Sequence, residues 1–415
     1  MGRIRKGSAR PRSILNEPLL TKGNVCLFLI VASVYFFTFN LRMYFSSELA
    51  YIDVPYYLFL ALMLVSFRGR SSAAGFAFWA VTSAVFLVTE LSVGTGWKDV
   101  LKFFFLYCAP LLVCQLWFGR THEERVGFAQ TIIRVVNFFA LIVFGILVVD
   151  CLTGSAVMRI LTSTVLKDMA SWVPSSISER HPSIWGHYLI TAGFYMAFYF
   201  MNVAYEKVEG EWLIDVRLLY VVATIGVLST GGKTALVIYF VAIIWLNVTG
   251  PHGLRNAVAL TAFLALLYWL GLFDIVLSRF EADDLSSGRN EAAEALLRFE
   301  APAFVGGYGE AFVTHMSSLV GSYTVAIASE YSFLAIAYKF GLLFVGLMIA
   351  LMLRGPVVAS AATGKWSLAL MAAMLVVYFS TFNAFHGIPD SYLAVSLYVL
   401  VVNLITPKKV DVTHE

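Results

Sequence analysis

The chain has 415 residues, 60% of them hydrophobic, 15% aromatic and only 13% charged, with a mean hydropathy of +0.79. A soluble domain of average make-up is about 25% charged, so a water-soluble enzyme is excluded and an integral membrane protein is expected. The formal net charge of +3 matters less than where the charges sit, and no nucleic-acid partner is expected.

Arg3, Arg5, Lys6, Arg10, Arg12 and Lys22 make residues 1–23 a basic tail. The apolar run behind it ends at Phe39-Asn40-Leu41-Arg42 without a small-residue cleavage site, so it reads as an uncleaved first span. A span needs roughly 20 apolar residues. Segments of that kind recur at 24–41, 54–67, 73–91, 99–118, 129–150, 184–204, 216–229, 233–249, 255–273, 330–353, 366–383 and 390–406. The expected fold class is therefore all-α: a polytopic membrane protein of about twelve transmembrane helices, forming one transmembrane domain over 24–406 with a short tail at 407–415. No internal repeat is visible and no matching pair of interrupted helices is expected, which weakens a transporter built from inverted repeats.

Lys and Arg mark every second junction: the N-terminal tail, Arg68 and Arg70, Arg120 and Arg125, Lys207 and Arg217, Arg255, Arg354 and Lys365, and Lys408 and Lys409. By the positive-inside rule both termini are cytoplasmic. The other side, periplasmic in a bacterium, receives Arg42, Lys98, the loop 151–183, the Gly231-Gly232 turn, the loop 274–329 and the turn 384–389. Fusing the seventh and eighth spans across Ser229-Thr230-Gly231-Gly232-Lys233 would move loop 274–329 inside, so that turn is required.

The first outer loop carries Val157, Ile160, Leu161, Val165, Met169 and Trp172 at helical spacing, which suits a helix lying in the membrane interface and ending at Pro174. Glu179-Arg180-His181-Pro182 then precedes the span that opens at Ile184-Trp185-Gly186-His187. The second outer loop concentrates Arg279, Glu281, Asp283, Asp284, Arg289, Glu291, Glu294, Arg298 and His315. Ser286 and Ser287 are candidate helix caps. Ala292, Ala295, Leu296 and Phe299 mark one helical face over 291–299, and Gly306-Gly307-Tyr308-Gly309 reads as a tight turn with a structural role. Cys26, Cys108, Cys114 and Cys151 show no C-x-x-C spacing and read as free thiols.

Charges inside spans call for a reason. Arg134 and Arg217 lie near span ends and can snorkel. Lys233 sits at the outer turn beside Gly231-Gly232, where an anion or a snorkelling position would each account for it. Lys339 is expected well inside the tenth span, in a structural pair or facing a polar cavity. Glu330 stands at the outer mouth of that span.

Several of these segments together resemble the O-antigen polymerase and ligase-like superfamily of bacterial envelope glycan enzymes. Leu228-Ser229-Thr230-Gly231-Gly232-Lys233-Thr234-Ala235 is similar to the family's Ser/Thr-Gly-Ser-Arg-Gly turn, with lysine at the arginine position. Ser287-Gly288-Arg289, the following helix and Gly306-Gly307-Tyr308-Gly309 resemble its Gly-Arg…Gly-x-Gly loop, and Arg180-His181-Pro182 resembles its first outer loop. The likeness covers roughly residues 70–400 as scattered motifs. Ligases of this superfamily place a His-Asn pair shortly before a glycine at the start of the tenth span. Here Glu330-Tyr331 and Gly341 hold those positions, which tilts the resemblance towards a polymerase.

The resemblance implies an enzyme of the bacterial inner membrane that joins glycans carried on a polyprenyl diphosphate. It implies Arg289, Lys233 and Arg180 as the diphosphate-binding residues, because cations hold a departing diphosphate and arginine does so bidentately. Glu330 becomes the general base for the acceptor hydroxyl, and Arg289 is the second catalytic residue. Lys339, His315 and His181 are accessory candidates. No Asp-x-Asp or histidine cluster marks a metal site, so neither metal nor cofactor is expected. Expected partners are the polyprenyl-diphosphate-linked glycan, membrane lipid, and a chain-length regulator and flippase of the same pathway. Trp172, Trp185, Tyr308 and Tyr323 are either interfacial anchors or stacking surfaces for sugars. Three other readings stay open: a glycan ligase of the same superfamily, a precursor transporter or flippase, and a membrane protein whose loops bind a partner.

Overall fold

The computed structural model describes residues 22–46, 48–164, 180–248, 253–269, 271, 273, 274, 277 and 288–407. In chain order its helices are α1 (Lys22–Tyr35), α2 (Phe39–Phe45), α3 (Val54–Ser66), α4 (Ala73–Ser92), α5 (Trp97–Tyr107), α6 (Ala109–Val113), α7 (His122–Thr153), α8 (Ala156–Thr164), α9 (Tyr188–Glu209) and α10 (Val216–Ser229). There follow α11 (Lys233–Val248), α12 (Gly253–Trp269), α13 (Arg289–Phe299), α14 (Phe312–Val320), α15 (Ser322–Ala328), α16 (Ser332–Phe340), α17 (Leu342–Thr363), α18 (Ser367–Ser380), α19 (Ala384–Gly387) and α20 (Pro389–Ile405). Among the described residues three helices, α4, α7 and α17, are long and apolar enough to cross a membrane, or four if the bent pair α1–α2 counts as one. Shorter apolar helices, α3, α10, α11, α18 and α20, complete the apolar set. The chain is a helical membrane protein.

α9 and α20 form the centre. Every residue from Ile190 to Tyr205 and from Pro389 to Ile405 is buried, as expected for helices that are apolar all round. Three asparagines within this core are paired: the Asn137 and Asn202 amides exchange hydrogen bonds at 3.1 and 2.7 Å, and Asn403 donates to the carbonyls of Cys114 and Leu116.

Contacts at the helix ends fix an alternating direction. One end brings together the start of α7 and the end of α9, with His122 4.0 Å from Glu209. The opposite end brings together Cys151 and His181, and Arg180 and Thr230. α10 stops at Ser229 and α11 starts at Lys233, with Gly231 at φ +60° between them. The turn on which the charge alternation depends is present.

Three expected spans are interrupted. The first breaks after Tyr35, and α2 leaves at 92°. A helix that stops inside the membrane strands carbonyl groups that no water can satisfy. Arg42 donates to Ser33 O of the last turn at 2.9 Å, to Phe37 O in the break at 2.5 Å and to Ala50 O at 3.2 Å, while Asp53 and Asp390 pair its charge at 3.2 and 2.6 Å. The fourth expected span, 99–118, breaks at Cys108 before Pro110, which lacks the N–H needed to continue the ladder. Its last residues, Leu116–Trp117, instead pair antiparallel with Arg70–Ser71, a two-residue exception to the all-α expectation.

The third break corrects the tenth span most. Instead of one helix over 330–353, α16 ends at Phe340, Gly341 sits at φ +90°, and the long helix α17 begins at Leu342. A strap of residues 303–308 fills the break. Leu342 and Leu343 donate to Ala303 O and Phe304 O at 2.9 Å, and Tyr308 N–H donates to Tyr338 O at 3.0 Å. Lys339 therefore lies in the last turn of α16, before the long helix α17 rather than within it. The strap passes so close that a Cβ at Gly307 would overlap the carbonyls of Tyr338 and Lys339, and one at Gly341 would lie 2.7 Å from Gly306 O. This is the structural role of Gly306-Gly307-Tyr308-Gly309. Gly307→Ala is expected to lower stability by about 1–3 kcal/mol, as overpacking does. Gly346→Ala, with nothing within 4 Å of the added carbon, should cost nothing. Thermal unfolding in detergent compares the two, and equal melting temperatures would refute the strap's tightness.

Candidate active site

The charged cap at one end of the bundle is built on a small core of its own. Ala292 and Leu296 of α13 pack with Phe312 and Met316 of α14, Val325 and Ala328 of α15, and Ala335 and Tyr338 of α16. The buried face of α13 is Ala292, Ala293 and Leu296. Phe299, expected on that face, is 52% exposed. The helix starts at Arg289 behind Gly288, and the expected caps Ser286 and Ser287 lie outside the described residues, as do Arg279, Glu281, Asp283, Asp284 and Trp172. Of the interfacial helix expected over the first outer loop, α8 is described.

This packing sets the first turn of α13 against the α15–α16 turn. Arg289 donates through Nε to Glu330 Oε2 and through Nη1 to Thr381 O at 3.4 Å. The neighbouring residues repeat the contact, Tyr331 Oη donating to Asn290 Oδ1 at 2.6 Å. The Arg289 and Glu330 side chains are 24% and 35% exposed, so the pair is open to a ligand.

Arg180 is fixed from the other side. Its Nε donates to Thr230 O at 2.8 Å, and its guanidinium lies 3.0 Å from the centre of the Tyr188 ring. Lys233 opens α11 three residues beyond Thr230. Aromatic residues close the distance between the two arginines. His187 lies 4.6 Å from Tyr188 and stacks on Phe382 at 6.1 Å, and Phe382 follows Thr381, which holds Arg289. Both arginines lie within electrostatic range of His187 and of Tyr378. Arg180, Arg289, Glu330 and the start of α11 thus gather at one end.

The accessory candidates have partners of their own. His181 is buried, its N–H donating to Ser229 O at 3.0 Å and its ring 3.9 Å from Cys151 Sγ, so it pins the loop to the α10–α11 turn. His315 stacks on Tyr308 at 4.2 Å, on the side of the cap where Tyr308 donates to both Glu300 oxygens at 2.7 Å. That carboxylate raises the Tyr308 phenol above its ordinary pKa. Lys339 pairs with Glu310 at 2.6 Å and donates to Tyr107 Oη at 3.1 Å. Tyr107 also meets His386 Nδ1 at 3.3 Å. Trp185 is 1% exposed and donates to Tyr35 O; it is neither an anchor nor a sugar platform. Tyr323 is 79% exposed. The four cysteines are free.

Sequence reasoning missed Glu310, although it directly follows the Gly-Gly-Tyr-Gly segment, and missed His187, although it closes the Ile184-Trp185-Gly186-His187 opening of a span. Among the described residues no group of three or more His, Cys, Asp or Glu side chains converges as a metal-ligand set. Chemically, two arginines and a nearby lysine can hold a multivalent anion, and a carboxylate stands at the edge of that floor to take a proton. Comparison with protein-family models, with curated proteins and with solved structures finds no match.

Proposed function

We propose that this chain polymerises polyprenyl-diphosphate-linked oligosaccharide repeats into a surface or exopolysaccharide at the outer face of the bacterial inner membrane. The observation that carries this reading is the open Arg289–Glu330 pair, which joins residues 41 apart in sequence on the same floor as Arg180. The proposed topology has twelve crossings, cytoplasmic termini, and periplasmic loops at 151–183 and 274–329. The site then faces the side on which a lipid-linked repeat is presented.

In the proposed reaction the acceptor sugar's hydroxyl oxygen attacks the anomeric carbon of the donor. The new glycosidic C–O bond forms as the bond from that carbon to the diphosphate oxygen breaks, and the electron pair leaves with the diphosphate. Arg289 and Arg180 take the phosphate oxygens in their planar forks, and Lys233 adds a third positive charge. The hydroxyl proton passes to Glu330. The cations meet the leaving group's charge, so the scheme requires no metal. The polyprenyl tail stays in the bilayer and the head group reaches the floor sideways, between helices. A flippase delivering the repeats and a chain-length regulator are the partners that fit.

Deletion of the gene tests this reading. The deletion strain is expected to carry glycans one repeat long. Full polymer stranded on its lipid would indicate a ligase, and single repeats left on the cytoplasmic side a flippase. Long polymer at normal levels would sink the proposal.

A further inference from the structure

We infer that His187 is a further ligand of the lipid diphosphate beside Arg180, Arg289 and Lys233, a neutral donor set between the two arginines; the inference rests on the polymerase reading above. His187 caps α9, the Leu189 N–H donating to its Nδ1 at 3.2 Å. A backbone amide can only donate, so Nδ1 is the ring's acceptor and the proton sits on Nε2. The cap thereby fixes both the tautomer and the orientation of the imidazole.

The neighbours of the ring place it on the anion floor. On one side it meets Tyr188, which carries the Arg180 guanidinium 3.0 Å from its ring centre. On the other it stacks within 13° of parallel on Phe382, next to the Thr381 carbonyl that holds Arg289. One guanidinium fork suits one phosphate group. Two forks on either side of a single N–H donor suit two linked phosphates. A neutral histidine also supplies that donor without adding a further charge to repel the arginines while the site is empty.

His187→Asn separates ligand from cap. Asparagine is a preferred cap acceptor, so the helix start is kept while the reach of Nε2 is lost. The purified protein in detergent is titrated with a polyprenyl diphosphate and with a polyprenyl monophosphate. His187→Asn is expected to unfold at the wild-type temperature and to bind the diphosphate about tenfold or more weakly, the worth of one hydrogen bond to a charged group, with a smaller change for the monophosphate. Chain growth should then suffer in KM for the lipid-linked donor more than in kcat. His187→Gln, a poorer cap whose amide reaches further, should recover part of the affinity. Recovery in that order is not what a cap alone would give. Wild-type affinity and KM in His187→Asn would overturn the inference while leaving the polymerase reading intact. A wild-type protein that binds no polyprenyl diphosphate would overturn both.

Discussion

Glu330→Gln is expected to slow chain growth about 10²–10⁴-fold, the usual worth of a positioned base, while donor binding survives. The amide keeps the shape of the carboxylate and cannot accept the acceptor's proton. Loss of the negative charge also releases Arg289 from its ion pair, so affinity for the donor diphosphate should hold or tighten. Arg289→Lys should behave differently. A lysine is a point charge, and it cannot bridge Glu330 and the Thr381 carbonyl as the planar fork does. It is expected to lose both donor affinity and rate. Neither change should unfold the protein, because a pair this open contributes only about 0–1 kcal/mol. Polymer length on gels, with membrane protein levels alongside, and KM for the lipid-linked donor in vesicles separate these outcomes. Wild-type polymer from both variants would remove the pair from the mechanism.

The parts of the fold that were legible in the sequence are those set by local composition. Apolar runs located α3, α10, α11 and α20 closely, because a helix in lipid is specified by its own residues. The interruptions were not legible, because each depends on a partner distant in sequence. Residues 330–353 read as one apolar segment; only the strap from 303–308 shows why the helix can stop at Gly341 and satisfy its freed amides. Arg42 looked like a surface charge until Asp53 and Asp390 were brought to it. The same division holds for the site. Arg180, Lys233, Arg289 and Glu330 were legible as candidates through the motif resemblance. That Glu330 and Arg289 touch was not, since their contact is set by the small core of Leu296, Phe312, Val325 and Ala335. His187 carried no signal of its own, because its position follows from a helix start and a stacking partner in α18's wake.

That dependence makes the Lys339–Glu310 pair the most consequential contact outside the floor. The Lys339 side chain is 1% exposed and that of Glu310 22%, so the two partners are unequal. Glu310→Gln strands an ammonium away from water, and removing one partner of a buried pair costs about 3–5 kcal/mol. Glu90 lies within electrostatic range of Lys339, which puts the expected loss near the lower figure, about 3 kcal/mol. Lys339→Met should cost less, because the remaining carboxylate can reach water. The double variant should be more stable than Glu310→Gln alone, since it leaves no buried charge without a partner. Thermal unfolding of the four proteins in detergent closes this cycle, and strictly additive losses would show that the two groups do not depend on each other. The consequence extends to catalysis. Lys339 ends α16 and Glu330 precedes it, about 13 Å apart along the helix at its normal rise. A helix that loses its anchor at one end carries the base at the other, so Glu310→Gln should lower kcat even at temperatures where the protein remains folded, and the double variant should recover part of that rate.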